Sequence, residues 1–206
     1  MDITFYLQIF IVIFSILDPI GTTPLFLSLT ANQSLQEKNA TIRRTVITVT
    51  SILVISALVG NSLLAFFGID IRSFQIAGGI LLLLLALNML QAKIPRPKIT
   101  SQEHEEAIEK EDVSIVPLAI PLLSGPGAIS TIIVFASSMP EIGQKSILVG
   151  IVIAAALTIW PIFLLSGIIG RKMGQTGLNI TVRTMGLILA SIGVQFIMEG
   201  IVAYMK

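Results

Sequence analysis

Six stretches of this chain, residues 5–30, 46–67, 74–90, 113–138, 146–169 and 182–203, are strongly apolar and about as long as a bilayer is thick. A helix needs about 20 mostly apolar residues to cross the hydrocarbon core. Little of the 206 residues is left over for a soluble domain. The stretches therefore predict one all-α, polytopic membrane domain, with the lipid bilayer as its first partner. Charged residues make up 12% of the chain, too few to cover a water-soluble surface of this size. The first stretch does not read as a cleaved signal peptide, because no basic residue precedes it and no A-x-A site follows.

Composition narrows the chemistry further. There is no cysteine, which excludes disulfides, thiolate metal sites and cysteine nucleophiles. A net charge of +1 without a basic stripe gives no reason to expect a nucleic-acid partner. The single histidine, His104, stands in "HEEAI" and lacks the second histidine of a zinc-binding H-E-x-x-H. No metal and no cofactor are expected.

Basic residues are placed unevenly about the six stretches. The connections after the first, third and fifth hold Lys38, Arg43, Arg44, Lys93, Arg96, Lys98, Lys110, Arg171, Lys172 and Arg183; the other side holds only Arg72, Lys145 and Lys206. Such a bias marks the cytoplasmic side, so both termini are expected outside. The longest connection, residues 92–112, reads as a charged cytoplasmic tether, extended around Pro95 and Pro97.

An internal repeat underlies this pattern. "LDPIG" at residues 17–21 is echoed by "SGPGA" at 124–128, Pro19 matching Pro126 at an offset of 107 residues. The same offset carries Ile52 onto Ile159, Ile55 onto Ile162, Gly60 onto Gly167, Gly79 onto Gly186 and Asn88 onto Gln195. Residues 1–91 and 113–206 then form two three-helix repeats. An odd number of crossings turns the second copy upside down, the inverted-topology arrangement of many secondary transporters.

The motifs themselves predict breaks at mid-membrane in the first and fourth helices. Proline disfavours helical geometry just before it yet suits the first helical position, and aspartate is a strong N-cap. "DPIG" reads as a helix that stops near Leu17 and restarts with Asp18 as cap and Pro19 first. "SGPGA" repeats this with Ser124 or Gly125 as cap and Pro126 first. Irregular backbone at such depth is tolerated only inside protein or along a cavity. The expected free N–H groups at Gly21, Thr22 and Thr23, and at Gly127, Ala128 and Ile129, would attract an anion, and the carbonyls of residues 16–17 and 122–123 a cation. A zwitterion meets both demands. Asp18 is the one carboxylate deep in the apolar region; it either only caps its helix or also binds the coupling cation or proton.

Weaker candidates lie outside these breaks. Asn88 and Gln195 are repeat-equivalent and suited to interhelical hydrogen bonds, while Gly78 and Gly79 read as a close-packing point more than as a ligand site. Ser191, Gln195 and Glu199 share one face of the sixth helix, as packing or as a pathway wall. Trp160-Pro161 is expected to kink the fifth helix.

"DPIGTTPLFLSLT", "FQIAGGILLLLLALNML", "PLLSGPGAIST" and "RTMGLILASIGVQFIMEGI" occur in order along the whole chain. In them the sequence resembles the MarC family, also called the small neutral amino acid transporter (SnatA) family. The resemblance implies a six-helix protein of the bacterial or archaeal cytoplasmic membrane. It further implies transport of glycine, alanine and similar small neutral amino acids, coupled to a proton or sodium gradient. The family motifs fall on Asp18, Pro19, Gly21 and Pro24, and on Ser124, Gly125, Pro126, Gly127 and Ala128. Export of amino acids or other metabolites remains open beside uptake. A channel is a further alternative; its filter needs repeated subunits or rings of ligands, which a single chain cannot reveal. A small intramembrane enzyme is disfavoured by the lack of an intramembrane histidine or acid pair. The sequence assigns no oligomeric state.

Overall fold

The computed structural model describes residues 3–91, 114–139 and 141–205, and every regular element there is helical. The chain opens with α1 (Ile3–Leu17) and α2 (Pro19–Leu29), two halves of one 27-residue apolar span, Ile3–Leu29, separated at Asp18. Then come α3 (Leu35–Phe66) and α4 (Ile71–Leu90). A π-helical segment, Ser114–Leu123, precedes α5 (Pro126–Ser137). The chain finishes with α6 (Ile142–Leu157), α7 (Ile159–Leu164) and α8 (Ser166–Tyr204).

Among the described residues, five helical spans are long and apolar enough to cross a bilayer: Ile3–Leu29, Leu35–Phe66, Ile71–Leu90, Ile142–Leu164 and Thr176–Tyr204. The fourth stretch expected from the sequence takes a different form, the π-helical segment followed by the 12-residue α5. Two expected boundaries also move. Helix α3 begins at Leu35 rather than near residue 46. Ser34 Oγ accepts from the Glu37 N–H at 3.3 Å, and Glu37 Oε2 accepts from the Ser34 N–H at 2.6 Å. This capping box starts the helix in polar sequence that hydropathy passes over. The connection expected at residues 170–181 is helical as well, broken only at Gly174, whose φ of 59° lies in the left-handed region. Residues 92–112, with His104 and four of the basic residues used for orientation, lie outside the described residues.

The kink expected at Trp160-Pro161 falls at Thr158, between α6 and α7. Pro161 has no N–H to offer the carbonyl of Leu157, so the ladder opens one turn ahead of the proline. The Thr158 hydroxyl turns back to the Ala155 carbonyl at 2.6 Å.

Apolar side chains fill the centre of the bundle, among them Ile13 and Leu17 of α1, Leu53 of α3, Leu82 of α4, Ile132 of α5 and Phe163 of α7. Phe26 of α2 stacks on Phe163 with ring centroids 4.3 Å apart. Leu58, Leu63, Leu84, Leu187 and Met198 point outward, exposed, as a lipid-facing surface requires.

Helices α4 and α8 touch backbone to backbone. A Cβ on Gly79 would stand 2.6 Å from the Gly193 carbonyl oxygen, and one on Gly193 2.8 Å from that of Gly79. Small residues permit such approach where no hydrophobic effect drives helices together. Gly79 also meets the backbone of Ile197, while Gly186 meets Ala86 and Leu90. Those partners are related by the 107-residue offset already seen in the motifs: Gly79 to Gly186, Ala86 to Gly193, Leu90 to Ile197. The larger packing pairs follow the same exchange. Helix α3 packs on the π-helical segment as α6 packs on α1, and α4 packs on α5 as α8 packs on α2.

Candidate functional site

At the first break the backbone does something a cap rarely does. Asp18 has φ 40° and ψ 58° and is the only non-glycine with positive φ among the described residues. An N-cap ordinarily takes extended geometry. Here α1 runs straight into the cap, the Asp18 N–H donating to the Phe14 carbonyl at 3.0 Å, and one left-handed residue re-aims the chain into α2. Such a conformation costs of order 1–3 kcal/mol and persists where the surroundings enforce it, often at functional sites. The cap bond is present: Asp18 Oδ1 accepts from the Gly21 N–H at 3.0 Å. A Cβ on Gly21 would collide with the Asp18 carboxylate, so the cap geometry seen here needs a residue without a side chain at this position.

The donors expected open at this break are mostly taken. Gly21 N–H binds Asp18 Oδ1, and Thr22 N–H binds the Asp18 carbonyl at 3.0 Å. The hydroxyls of Thr22 and Thr23 donate to the carbonyls of Asp18 and Pro19 at 2.8 and 3.0 Å. Acceptors accumulate instead. Pro19 offers no N–H to the Ser15 carbonyl, and Pro24 offers none to that of Ile20. The first break is thus capped and acceptor-rich, not the anion site predicted from the sequence.

The second break is different. Gly125 is the cap of α5 and provides no side-chain bond, while the Ser124 hydroxyl turns away to the Ala119 carbonyl at 2.7 Å. Within the motif, the choice between Ser124 and Gly125 therefore falls on Gly125. The Ile129 N–H is held by the Gly125 carbonyl at 3.1 Å, but no described acceptor takes the N–H groups of Gly127 and Ala128. They form an open helix N-terminus behind Pro126, with the partial positive charge that goes with it. The hydroxyls of Ser130 and Thr131 donate to the Gly127 carbonyl at 3.0 and 2.8 Å. Like the threonines of α2, they have only lone pairs left for a ligand.

The two broken spans are in contact: helix α1 packs on both the π-helical segment and α5, and α2 packs on the π-helical segment. The open N–H donors at Gly127 and Ala128 thus belong to a span packed against the one that carries the Asp18 carboxylate and its neighbouring carbonyls. That arrangement suits a small ligand with an anionic and a cationic end. Among the described residues no three His, Cys, Asp or Glu side chains gather where they could hold a metal.

Of the weaker candidates, Gly78 backs this region, a Cβ there meeting Ser130 Oγ at 2.6 Å, and Gly79 belongs to the α4–α8 contact. Asn88 is exposed on α4. Gln195 lies in a separate cavity of about 710 Å³, bounded by α1, α4, α5 and α8 and open on one side. Its polar wall is Gln8, Arg72, Gln75, Ser137, Ser138, Gln195 and Glu199. Gln75 Nε2 donates to Glu199 Oε2 at 3.0 Å, and Gln195 Nε2 to Glu199 Oε1 at 2.8 Å. Sequence reasoning placed Gln195 and Glu199 on one helix face but missed Arg72 and Gln75. The available signal was two polar residues one turn apart at the start of an otherwise apolar helix.

Comparison with known proteins follows this geometry closely in extent. The family model described as "MarC family integral membrane protein" matches residues 3–205. The UPF0056 membrane protein YhcE of Escherichia coli is 39% identical over 203 residues, covering 97% of this chain and 93% of that protein. The UPF0056 membrane protein MJ1677 of Methanocaldococcus jannaschii is 39% identical, covering 98% of each. YvbG of Bacillus subtilis, another UPF0056 membrane protein, is 36% identical and covers 98% of this chain and 96% of its own. No solved structure matches the chain.

Proposed function

This chain belongs to the MarC family of integral membrane proteins, and on that premise we propose that it is a secondary transporter of small neutral amino acids. Coupling is to a proton or sodium gradient, and the protein is a carrier rather than an enzyme. One observation supports the reading: the open N–H groups of Gly127 and Ala128 belong to a broken span packed against the one that carries the Asp18 carboxylate and the acceptors of the first break. The substrate carboxylate binds the N-terminus of α5. Its ammonium binds Asp18 and the lone pairs of the nearby hydroxyls and carbonyls. Asp18 Oδ1 is engaged by the Gly21 N–H, so the lone pairs left for the ammonium or the coupling ion are mainly those of the second oxygen.

The two halves act as inverted repeats, six helical crossings in all, with the fourth built from the π-helical segment and α5. The 107-residue correspondence of the contacts at Gly79 and Gly186 supports this architecture. Rocking of one repeat against the other exposes the site alternately to each side. The protein is a multi-pass membrane protein, and we place it in the cytoplasmic membrane with both termini outside.

The test is uptake of radiolabelled glycine and alanine into proteoliposomes, with proton and sodium gradients imposed separately. Accumulation under one gradient is expected in the native chain. Asp18→Asn, folded by size-exclusion chromatography, is expected to lose gradient-driven accumulation. Undiminished accumulation by that variant would remove Asp18 from the mechanism.

A further inference from the structure

The cavity between α1, α4, α5 and α8 has a chemistry of its own. Its volume of about 710 Å³ is within the usual range for small-molecule sites, roughly 300–1,000 Å³. Ile9 and Val12 of α1 and Val134 of α5 line it, so it lies along these helices on the far side of Val12 from Asp18. Six residues of helix separate Val12 from Asp18, about 9 Å at 1.5 Å per residue. The cavity is thus distinct from the site at the breaks and stands before it along α1.

Its wall carries one positive and one negative group. The Glu199 carboxylate is held by an amide from each of two helices, Gln75 of α4 and Gln195 of α8, one on each oxygen. An ionised carboxylate accepts at about four lone-pair positions, so two bonds orient it and leave capacity on both oxygens. Arg72 lies one turn before Gln75 on α4. Its backbone N–H is bound to Asp70 Oδ1 at 2.7 Å, and among the described residues no carboxylate pairs with its guanidinium. The two charges therefore line one cavity without neutralising each other. Phe135 and Phe196, packed edge to face at 6.2 Å, add apolar wall beside them.

We propose that this cavity is a second binding site, a vestibule that takes a small zwitterionic amino acid with its carboxylate on Arg72 and its ammonium on Glu199. A guanidinium forks onto a carboxylate with two parallel bonds, and an ammonium has three donors for the free lone pairs of Glu199. A lone anion or a lone cation satisfies only one of the two groups. A ligand with both charges, and a side chain small enough for the phenylalanine wall, satisfies the whole site.

The chain has no cysteine, so one introduced thiol reports on the cavity without background. Ser138 is exposed and lines it. The experiment measures the rate of maleimide labelling of Ser138→Cys in nanodiscs across titrations of glycine, acetate and ethylamine. Glycine is expected to slow labelling about tenfold, and acetate and ethylamine to leave it nearly unchanged. Adding Arg72→Gln or Glu199→Gln is expected to raise the half-protecting glycine concentration about tenfold, the scale of one charge-assisted hydrogen bond. Adding Asp18→Asn is expected to leave the protection in place, which separates this site from the one at the breaks even where no transport is found. Gln8→Cys serves as reporter where Ser138→Cys does not fold. No protection by glycine in a folded reporter, protection that survives both charge removals, or protection lost with Asp18→Asn alone would each overturn the proposal.

Discussion

Asp18 and Gly21 show how much a single residue decides in a membrane interior. A carboxylate at this depth is costly unless it has partners or a cavity, and Asp18 receives one N–H bond while keeping its second oxygen free of any cap. The absence of a side chain at Gly21 makes that possible. Gly21→Ala is expected to drive the carboxylate off its cap, costing about 1–2 kcal/mol, the scale of a lost N-cap. It should also abolish uptake while Gly143→Ala, with nothing within 4 Å of its added Cβ, leaves uptake intact. Thermal unfolding and uptake measured on the same preparations check both halves. The cap at Asp18 and the proline after it were legible in "LDPIG". The left-handed geometry was not, because a cap's dihedral angles depend on the helix that arrives from the other side.

At the scale of elements, the two breaks share a motif and differ in execution. The first turns on one residue. The second follows a π-helical segment with prolines at 117 and 121, where the Ser124 N–H reaches five residues back to Ala119 at 2.9 Å. Prolines remove the donors of a regular ladder, and a wider turn is one way to restore bonding. Hydropathy located these helices but not their ends. It missed the first turns of α3, whose Glu37, Lys38, Arg43 and Arg44 are polar, although S-x-x-E at Ser34 announced them. It also missed the helix through residues 170–181, where Gly174 supplies the only bend. Gly174→Ala is expected to destabilise the protein by about 1–3 kcal/mol through backbone strain alone, its φ of 59° and ψ of −179° being essentially confined to glycine, since no atom lies within 4 Å of the added Cβ. A lower unfolding temperature in detergent, with uptake specificity retained, is the outcome to look for. At Gly193 the cost is steric, because the α4 backbone is the obstacle. Gly193→Val is expected to cost about 1–3 kcal/mol, as overpacking does, and to separate α4 from α8.

The whole molecule presents two related faces in different states. The cavity at Arg72 and Glu199 is open, with Ile71 and Gln75 half-exposed on its wall. The positions related to these two by the 107-residue offset, Leu178 and Val182, are 5% and 6% exposed. On the transporter reading proposed above, exchange of the two repeats' conformations would close the first face and open the second. In a cysteine-free chain, Gln195→Cys and Asn88→Cys form a matched pair. Gln195→Cys is expected to react with an impermeant maleimide from one side of a sealed vesicle, and Asn88→Cys from the other. Reaction of both from the same side would exclude the inverted arrangement.

The apolar stretches, the proline–glycine syntax and the 107-residue repeat were determined by the sequence, because each is a local demand. A span must satisfy its own backbone, a proline its own geometry, and a duplicated segment its own pattern. Which N–H groups stay open was decided only by tertiary structure. The donors expected at Gly21 and Thr22 are consumed by Asp18, and those of Gly127 and Ala128 remain because Ser124 turns to Ala119. The meeting of Arg72, Gln75, Gln195 and Glu199 around one cavity was likewise invisible in the chain. It depends on two helices 124 residues apart, joined at Gln75 and Glu199, and a linear pattern does not encode which faces of such helices come together.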